Sequence, residues 1–442
     1  MTAPGLMALT LVALVVLVHL ALRYNVGVAI AVGLLVSSTI LPLTLWGYSS
    51  AHPGVTTASP VAHTYSLLVA AGSLAALNRF RRIRPFAPIL FVLLSGIWAL
   101  LFWGSATIVV AGLLHYSAAA LAWIVVAPLA DLDVRTRDRL VMTIIMAVVL
   151  VEAAVVAIQA AGFVLPIFGG TISAGGYARA TGTLGHPGTL GKVMTLLLLL
   201  ALPSTNSGDK NTRRMAWAVV ILAALITGMT LGRANILALV ATLLLWFLLD
   251  PTRRLGGRIR IGVLVLLIVS PFITSVLGRF DDDPTGGARP QLEAEALNQI
   301  GHALFLGTGP NTYVEVVGAT GSFTGAGFPV HNAFLLLLAE LGLPLALLFL
   351  WPFIAATSIG VRQLSRRVPD DAFARALLVA IPGTLITAVT GWGLLQGPML
   401  YLWVAVYGYL YACATSRRSE QSNVLSGKAV STVAVRAKTR RN

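Results

Sequence analysis

Apolar runs of about 20 residues recur from one end of this 442-residue chain to the other. A helix of that length is long enough to cross the hydrocarbon core of a bilayer. Hydrophobic residues make up 57% of the chain and charged residues only 11%, whereas soluble proteins carry about 25% charged residues. The sequence therefore predicts an all-α polytopic membrane protein with about 12–13 transmembrane helices.

The first apolar run has no basic residues before it and no small-residue cleavage site after it. We interpret it as a retained span rather than a signal peptide. The single cysteine, Cys413, rules out a framework of internal disulfides. The predicted spans are 6–22, 26–47, 64–78, 86–104, 106–128, 140–163, 187–203, 215–231, 234–249, 261–278, 331–359, 372–390 and 397–414.

The net charge of +15 comes from basic residues in short clusters between the apolar runs. This distribution is typical of the positive-inside rule and argues against a nucleic-acid partner. If the clusters face the cytoplasm, the spans beyond residue 79 alternate correctly and the C-terminus is cytoplasmic, while the side of the N-terminus stays open. The clusters lie within 79–84, 135–139, 210–214, 253–260 and 362–367.

The predicted spans divide the chain into three parts: N-terminal transmembrane helices over 1–163, a transmembrane core over 164–414, and a disordered basic cytoplasmic tail over 415–442. The core has two long outer segments, 164–186 and 279–330, and the second is long enough to be functional. Within that second segment the sequence predicts an amphipathic helix, with Pro290 in its first turn. This helix runs from Arg289 to Leu306, and its apolar stripe comprises Leu292, Ala296, Ile300 and Leu304.

Arg179, Arg233 and Arg289 are among the few basic residues that this topology places on the outer side, where positive charge is normally depleted. The planar, permanently charged guanidinium matches phosphate well, so several of them in one cavity predict a pyrophosphate site. Each arginine also has a simpler explanation: an interfacial side chain for Arg233, a solvated loop charge for Arg179, and a lipid headgroup contact for Arg289.

His331 follows a loop and opens a long apolar helix. The partial positive charge of a helix N-terminus disfavours imidazolium, and a neutral imidazole suits a general base. The alternative is that His331 and Asn332 only cap the helix.

Three further features are weaker. Asp281–Asp283 has the composition of a divalent-cation site, but the start of a flexible acidic loop before Pro284 is the better explanation. Glu152 and Glu340 lie inside apolar runs, where an ionisable side chain indicates function. The stretch GTGPNTY, residues 307–313, is rich in glycine, but no strand precedes it and no lysine follows it, which argues against a nucleotide loop.

Four stretches together resemble the O-antigen ligase / O-antigen polymerase superfamily of bacterial envelope proteins. ARATGTLGHPGTLG is similar to the family's Arg-x-x-Gly-x-x-x-x-Pro segment, and MTLGRANILALV to its Ser-Arg-Gly turn. ARPQLEAEALNQIGHALFLGTGPNTY is similar to its arginine, amphipathic helix and Gly-x-Gly-Pro. HNAFLLLLAELGLPLALLFL is similar to the His-Asn-x-x-Leu start of a late transmembrane helix. The resemblance covers about residues 165–360 and rests on the order, spacing and common side of these stretches.

Some positions depart from the family pattern. His186 and Gly188 flank a proline where asparagine is usual, Gly232 stands where serine is usual, and Ala234 where glycine is usual. The helix after Arg289 lacks the common tryptophan. These departures leave the choice between ligase and polymerase open.

The resemblance implies a GT-C-like glycosyltransferase whose core, 164–414, is catalytic. Such an enzyme is a multi-pass protein of the bacterial plasma (inner) membrane with an extracytoplasmic active site. It takes a glycan from undecaprenyl (polyprenyl) pyrophosphate and attaches it to an acceptor hydroxyl with inversion, without a metal or another cofactor. The implied partners are a lipid-linked oligosaccharide or polysaccharide, a glycan or glycolipid acceptor, and membrane lipids.

The family's essential residues map onto His331 as the general base and onto Arg289 and Arg179 as the cations that hold the pyrophosphate. Four further residues are predicted to bind substrate: Arg233, Asn332, His186 and Tyr313.

Two alternatives remain from the sequence. A polymerase of the same superfamily would use a second lipid-linked glycan as the acceptor. A transporter or flippase of lipid-linked sugars would also need many helices and buried arginines, but transporters often contain internal repeats. The chain shows no convincing repeat and its candidate residues fall on one side, which favours an enzyme.

Overall fold

The computed structural model describes residues 15–40, 44–47, 60–76, 86–104, 106–165, 170–174, 177–250, 287–365 and 371–416, together with isolated positions between 251 and 286. Residues 15–23 are helical. The helices that follow are α1 Val26–Ser37, α2 Thr64–Ala75, α3 Ala87–Trp98, α4 Thr107–Val125, α5 Val134–Ala160, α6 Pro187–Ala201, α7 Lys210–Met229, α8 Arg233–Leu248, α9 Arg289–Ala303, α10 Tyr313–Gly318, α11 Ser322–Gly325, α12 Ala333–Ser365, α13 Ala372–Val389 and α14 Gly397–Ser416. The strands are β1 Thr44–Gly47, β2 Pro60–His63, β3 Ile172–Ala174 and β4 Tyr177–Arg179.

The predicted fold class, an all-α polytopic membrane protein, is confirmed. Seven described helices are long and apolar enough to cross a membrane, judged by their length and composition: α4, α5, α6, α7, α12, α13 and α14. Four shorter apolar helices accompany them, namely α1, α2, α8 and α3 with its π-helical extension to Trp103. Most of the predicted spans 6–22 and 261–278, and all of Asp281–Asp283, lie outside the described residues.

The predicted continuous span over 26–47 is wrong in its second half. Helix α1 ends at Ser37, and Thr44–Gly47 forms β1, which pairs antiparallel with β2. Pro42 gives the physical reason, since proline disfavours helical geometry in the residue before it and removes an amide donor.

Contacts among α8, α12 and α13 define the two ends of the helix bundle. Arg375, near the start of α13, forms an ion pair with Asp250, just beyond α8, with 3.0 Å between Nη1 and Oδ1. Gly360, late in α12, packs against the carbonyl of Ala374. Helix α13 therefore runs opposite to both α8 and α12, which begin together at the far end. We call that far end the His331 end and the other the Arg375 end.

Helix α6 also begins at the His331 end, because Asn235 Nδ2, in the first turn of α8, donates to the carbonyl of Gly188, in the first turn of α6, at 3.1 Å. Helix α7 begins at the Arg375 end and ends at the His331 end. The start of α5 lies beside the start of α7, because Arg135 and Asp209 line one groove there. The described members of the predicted basic clusters lie at the Arg375 end: Arg135, Arg137, Arg139, Lys210, Arg213, Arg214 and Arg362.

Helix α12 is broken at Gly342, although the sequence predicted one uninterrupted helix over 331–359. Gly342 has φ 71° and ψ 167°, which is not helical. The loop after α9 fills the break and bonds the backbone groups that the break releases. The donors and acceptors are Leu343 N to Leu304 O at 2.8 Å, Thr308 N to Ala339 O at 2.8 Å, and Gly309 N to Glu340 O at 2.9 Å.

This docking explains the glycine-rich stretch at 307–313. A Cβ at Gly307 would clash with the Glu340 carbonyl, so only glycine lets the loop approach α12 this closely. Helix α4 follows α12 on both sides of the break. Before it, Tyr116 donates to Glu340 Oε2 at 2.9 Å, and after it Trp123 packs edge-on against Phe353. Glu340 is therefore a buried structural acceptor.

Replacing Gly342 by alanine is expected to destabilise the protein by roughly 2–4 kcal/mol. The new Cβ would clash with the Phe305 carbonyl, and the positive φ is unfavourable for alanine. Thermal unfolding in detergent measures the effect. Gly301→Ala is the matched control, because the space around Gly301 in α9 is open, and alanine there is expected to be neutral or stabilising. Equal melting temperatures for Gly342→Ala and Gly301→Ala would contradict the conclusion that the loop after α9 packs tightly into the break.

The predicted amphipathic helix is confirmed as α9. Leu292 and Ala296 are buried against the bundle, and Ile300 packs at the edge of the core. Leu304 lies beyond the helix and is 36% exposed, so the buried stripe is shorter than predicted.

Candidate functional site

Arg179 is the last residue of β4 and lies against the end of α7. The backbone N–H of Ala180 donates to the Met229 carbonyl at 3.1 Å, and Arg179 Nε donates to the Thr230 carbonyl at 2.8 Å. The second bond fixes the guanidinium through its inner nitrogen. Its two Nη nitrogens form the outer edge of the fork, which is the edge that matches phosphate oxygens.

Two polar side chains of α5 hold the segment after Arg179 in place. Glu152 accepts from both the backbone N–H and the hydroxyl of Thr183, and a Cβ at Gly182 would clash with its carboxylate. Gln159 Oε1 accepts from the N–H groups of Thr181 and Gly182 at 3.1 and 3.0 Å. The sequence singled out Glu152 because it is ionisable within an apolar run, but its role here is to position a loop. Gln159 was missed, since a lone amide gives no such signal.

Glu152→Gln is expected to destabilise the protein by about 1–3 kcal/mol, because the amide replaces one of the two accepting oxygens by a donor and removes the charge that strengthens both hydrogen bonds from Thr183. Amide hydrogen exchange at residues 180–184 should become faster. The control is Glu315→Gln, which removes the same charge from an exposed side chain on α10. Unchanged exchange in the Glu152 variant would show that another contact holds this segment.

Arg233 begins α8, directly after a tight turn. The Thr230 hydroxyl accepts from the Gly232 N–H at 3.3 Å, and Leu231 has a positive φ of 48°, a strained value for a branched residue. The carbonyl that binds Arg179 belongs to this same turn. The predicted substrate-binding residue Arg233 and the predicted catalytic residue Arg179 are therefore brought to one place.

His186 joins this group as the residue before α6. Its Nδ1 accepts from the Gly188 N–H at 3.1 Å and caps the helix. Nδ1 therefore carries no proton, and in neutral His186 the proton is on Nε2. Partial loss of solvent around the ring, with the nearby charges of Lys192 and Arg179, lowers the pKa of His186 below its usual range. This histidine is a hydrogen-bond donor through Nε2, which suits substrate binding.

Arg289 and His331 form a second group. Arg289 is half-buried at the start of α9, which packs against α12. His331 is half-buried just before α12. Burial, then the charge of Arg289, lowers the pKa of His331, so the imidazole is neutral at pH 7. The two predicted catalytic residues are therefore close enough to interact electrostatically.

The contacts of His331 also determine which ring nitrogen is a base. Its Nδ1 lies 3.1 Å from the Pro329 carbonyl, and because a carbonyl only accepts, Nδ1 carries the proton. The neutral ring then presents an unprotonated Nε2. His331 and His186 thus hold opposite tautomers, and only His331 can accept a proton through Nε2.

Asn332, by contrast, caps α12. Its Oδ1 accepts from the N–H groups of Phe334 at 3.0 Å and Leu335 at 3.3 Å. The capping explanation is thus right for Asn332 but does not account for His331. A contact between Asn332 and a sugar would have to use the amide nitrogen, and it stays a prediction.

Tyr313 is fully buried at the start of α10. Burial raises the pKa of its phenol to about 12. Nearby, Glu295 of α9 accepts from the N–H and hydroxyl of Thr324, which joins α9 to α11. These are the surroundings of a core residue, so the predicted role of Tyr313 in substrate binding stays a prediction.

The contacts thus gather the predicted residues into two groups, Arg179 with Arg233 and His186, and Arg289 with His331. Both groups lie at the His331 end, because α6, α8 and α12 all begin there. The structure also places Lys192, a basic residue of α6, near His186.

No curated protein matches the chain significantly. Residues 218–350 match the family described as O-antigen ligase. The matched segment contains Arg233, Arg289, His331 and the break in α12, while Arg179 and His186 precede it. The match confirms the resemblance predicted from the sequence, and it covers about a third of the chain.

Proposed function

We propose that the chain is a membrane glycosyltransferase of the O-antigen ligase type, which moves a glycan from a polyprenyl pyrophosphate donor to an acceptor hydroxyl. The observation that carries the proposal is that α9 and α12 pack together and bring Arg289 within electrostatic reach of a neutral His331 whose Nε2 is unprotonated. A reaction in which a phosphate leaves and a hydroxyl loses its proton needs a fixed cation and a base.

The distribution of charge supports an extracytoplasmic site. By the positive-inside rule, the Arg375 end with its basic clusters faces the cytoplasm, so the His331 end faces the outer side of a bacterial plasma membrane. No ATP or nucleotide sugar is available there. The energy for transfer is therefore held in the glycosyl phosphate bond of the lipid donor.

In the proposed reaction the acceptor hydroxyl attacks the anomeric carbon of the glycan. The new C–O bond forms as the bond from that carbon to the phosphate oxygen breaks, which inverts the anomeric centre. His331 Nε2 takes the hydroxyl proton. The polyprenyl pyrophosphate leaves with the bonding electron pair, and Arg289 stabilises the charge that develops on its oxygen. Arginine cations thus supply the charge that Mg²⁺ supplies in other phosphate chemistry.

Arg179 and its neighbours hold the rest of the diphosphate in this proposal. The Nε contact to the Thr230 carbonyl fixes the direction of the guanidinium before substrate arrives. Preorganised donors stabilise charge without having to reorganise during the reaction. Arg233 supports the same site from the adjacent turn, and the Nε2–H of His186 is placed to donate to a phosphate or sugar oxygen.

Incubation of the pure protein with native lipid-linked glycan, followed by mass spectrometry of the products, tests the proposal. Release of polyprenyl pyrophosphate together with a new glycosidic product supports a transferase. Transfer only after a second acceptor is added identifies a ligase, whereas a product ladder from the lipid-linked glycan alone identifies a polymerase. Movement of the donor across liposomes without release of polyprenyl pyrophosphate would contradict the proposal and identify a transporter.

A further inference from the structure

Lys192 lies in the second turn of α6, and its side chain extends back toward the start of that helix. Its Nζ donates to the Gly188 carbonyl at 3.3 Å. A Cβ placed on Gly393 would be 3.2 Å from Nζ, so the segment before α14 approaches the ammonium group closely. Lys192 is half-buried, at the rim of the bundle rather than in free solvent.

The charges around Lys192 are positive. His186 interacts electrostatically with both Lys192 and Arg179, so three basic side chains share the start of α6. No ion pair within the described part of the chain involves Lys192. An ammonium group has three donors, and the Gly188 carbonyl uses one of them. Repulsion between the Lys192 and Arg179 charges is relieved when an anion binds between them.

The position of Lys192 along α6 decides which part of a diphosphate it meets. His186 caps the helix from outside, whereas the Lys192 ammonium lies level with the carbonyl of the first helical turn. Lys192 is therefore on the bilayer side of His186. In a lipid-linked diphosphate, the phosphate esterified to the lipid is the one nearer the bilayer.

We propose that Lys192 binds the lipid-proximal phosphate of the donor and thereby makes the site specific for a diphosphate over a monophosphate carrier. The inference rests on the function proposed above. Arg289 and His331 act on the sugar-proximal phosphate and the acceptor, where bonds change. The lipid-proximal phosphate carries its charge both before and during the reaction, so Lys192 stabilises the ground state and the transition state equally.

Uniform binding of this kind appears in KM rather than in kcat. Lys192→Gln is expected to raise KM for a polyprenyl diphosphate glycan about 10- to 100-fold, the loss typical of one charged hydrogen bond. The kcat is expected to change by less than about threefold. Lys192→Arg, which keeps the charge, should restore most of the affinity. Gly393→Ala, which crowds the ammonium, should raise KM by a smaller factor.

Lys210→Gln is the matched control, because it removes the same charge from an exposed side chain at the Arg375 end. Inhibition by inorganic pyrophosphate and by inorganic phosphate adds a measurement of binding that does not depend on the lipid. Wild-type protein should bind pyrophosphate more tightly than phosphate, and Lys192→Gln should reduce that difference while Lys210→Gln leaves it unchanged.

An unchanged KM and an unchanged preference for pyrophosphate in Lys192→Gln would overturn the role of Lys192 while leaving the transferase proposal intact. A loss of kcat with no change in KM would overturn it as well, since Lys192 would then act on the bond-breaking step. If wild-type protein transfers no glycan from any lipid diphosphate, the proposed function itself fails.

Discussion

Replacing Arg289 by glutamine is expected to lower kcat for glycan transfer about 10³-fold. Loss of one preorganised donor to a developing oxyanion typically costs 10²- to 10³-fold, and arginines that stabilise a leaving phosphate contribute at least as much. Glutamine is polar but shorter than arginine, and it carries no charge. Release of polyprenyl pyrophosphate, followed over time by mass spectrometry, measures the rate.

Arg135→Gln provides the matched control, because Arg135 is exposed at the opposite end of the bundle and its loss removes the same charge. Arg289→Lys is expected to fall between wild type and Arg289→Gln, since an ammonium keeps the charge but not the planar fork. A kcat of Arg289→Gln within about threefold of wild type would remove Arg289 from the mechanism.

His331→Ala is expected to reduce kcat by about 10²- to 10⁴-fold, the usual contribution of a general base. His302→Ala is the control, as His302 is an exposed histidine on α9. The Asn332→Ala variant separates the two explanations for this site. Because Asn332 caps α12, its loss should lower stability by about 1 kcal/mol without a comparable loss of kcat.

The dependence of kcat/KM on pH tests the state of His331 directly. A base must be unprotonated, so the rate is constant above the pKa of His331 and falls tenfold per pH unit below it. Burial and the charge of Arg289 lower that pKa, so the acid limb should lie below pH 6.5. In Arg289→Gln one of these causes is gone, the pKa rises, and the limb should move to higher pH. An acid limb of the wild-type kcat/KM profile above pH 6.5 would contradict the assignment of His331 as the base. An acid limb at the same pH in Arg289→Gln as in wild type would contradict it as well.

Much of the fold was predictable because apolar runs of spanning length dictate helices whatever their neighbours are. The placement of α9 followed from its apolar stripe and from Pro290 in its first turn. The break at Gly342 was not predictable, because the run around it is uniformly apolar and the break depends on a loop more than thirty residues earlier.

The candidate site shows the same division. Residue type marked Arg179, Arg289 and His331 as candidates, and the resemblance to the O-antigen ligase family selected them, since cations are few in the segments predicted on the outer side. Their catalytic roles stay predictions. The pattern gave no sign that His186 and His331 hold opposite tautomers, because a tautomer is set by one backbone group in the folded chain. Hydrogen bonds from Gln159 to a loop more than twenty residues away were likewise invisible in the sequence.

The break in α12 at Gly342, filled by the loop after α9, also determines which helices move together. Arg289 begins α9 and His331 directly precedes α12. The backbone hydrogen bonds across the break attach the C-terminal end of α9 to α12. Arg289 and His331 are thereby carried by one hydrogen-bonded unit of two helices. Under the proposed function, we expect any movement that admits the lipid donor to occur between this unit and the turn that carries Arg179 and Arg233.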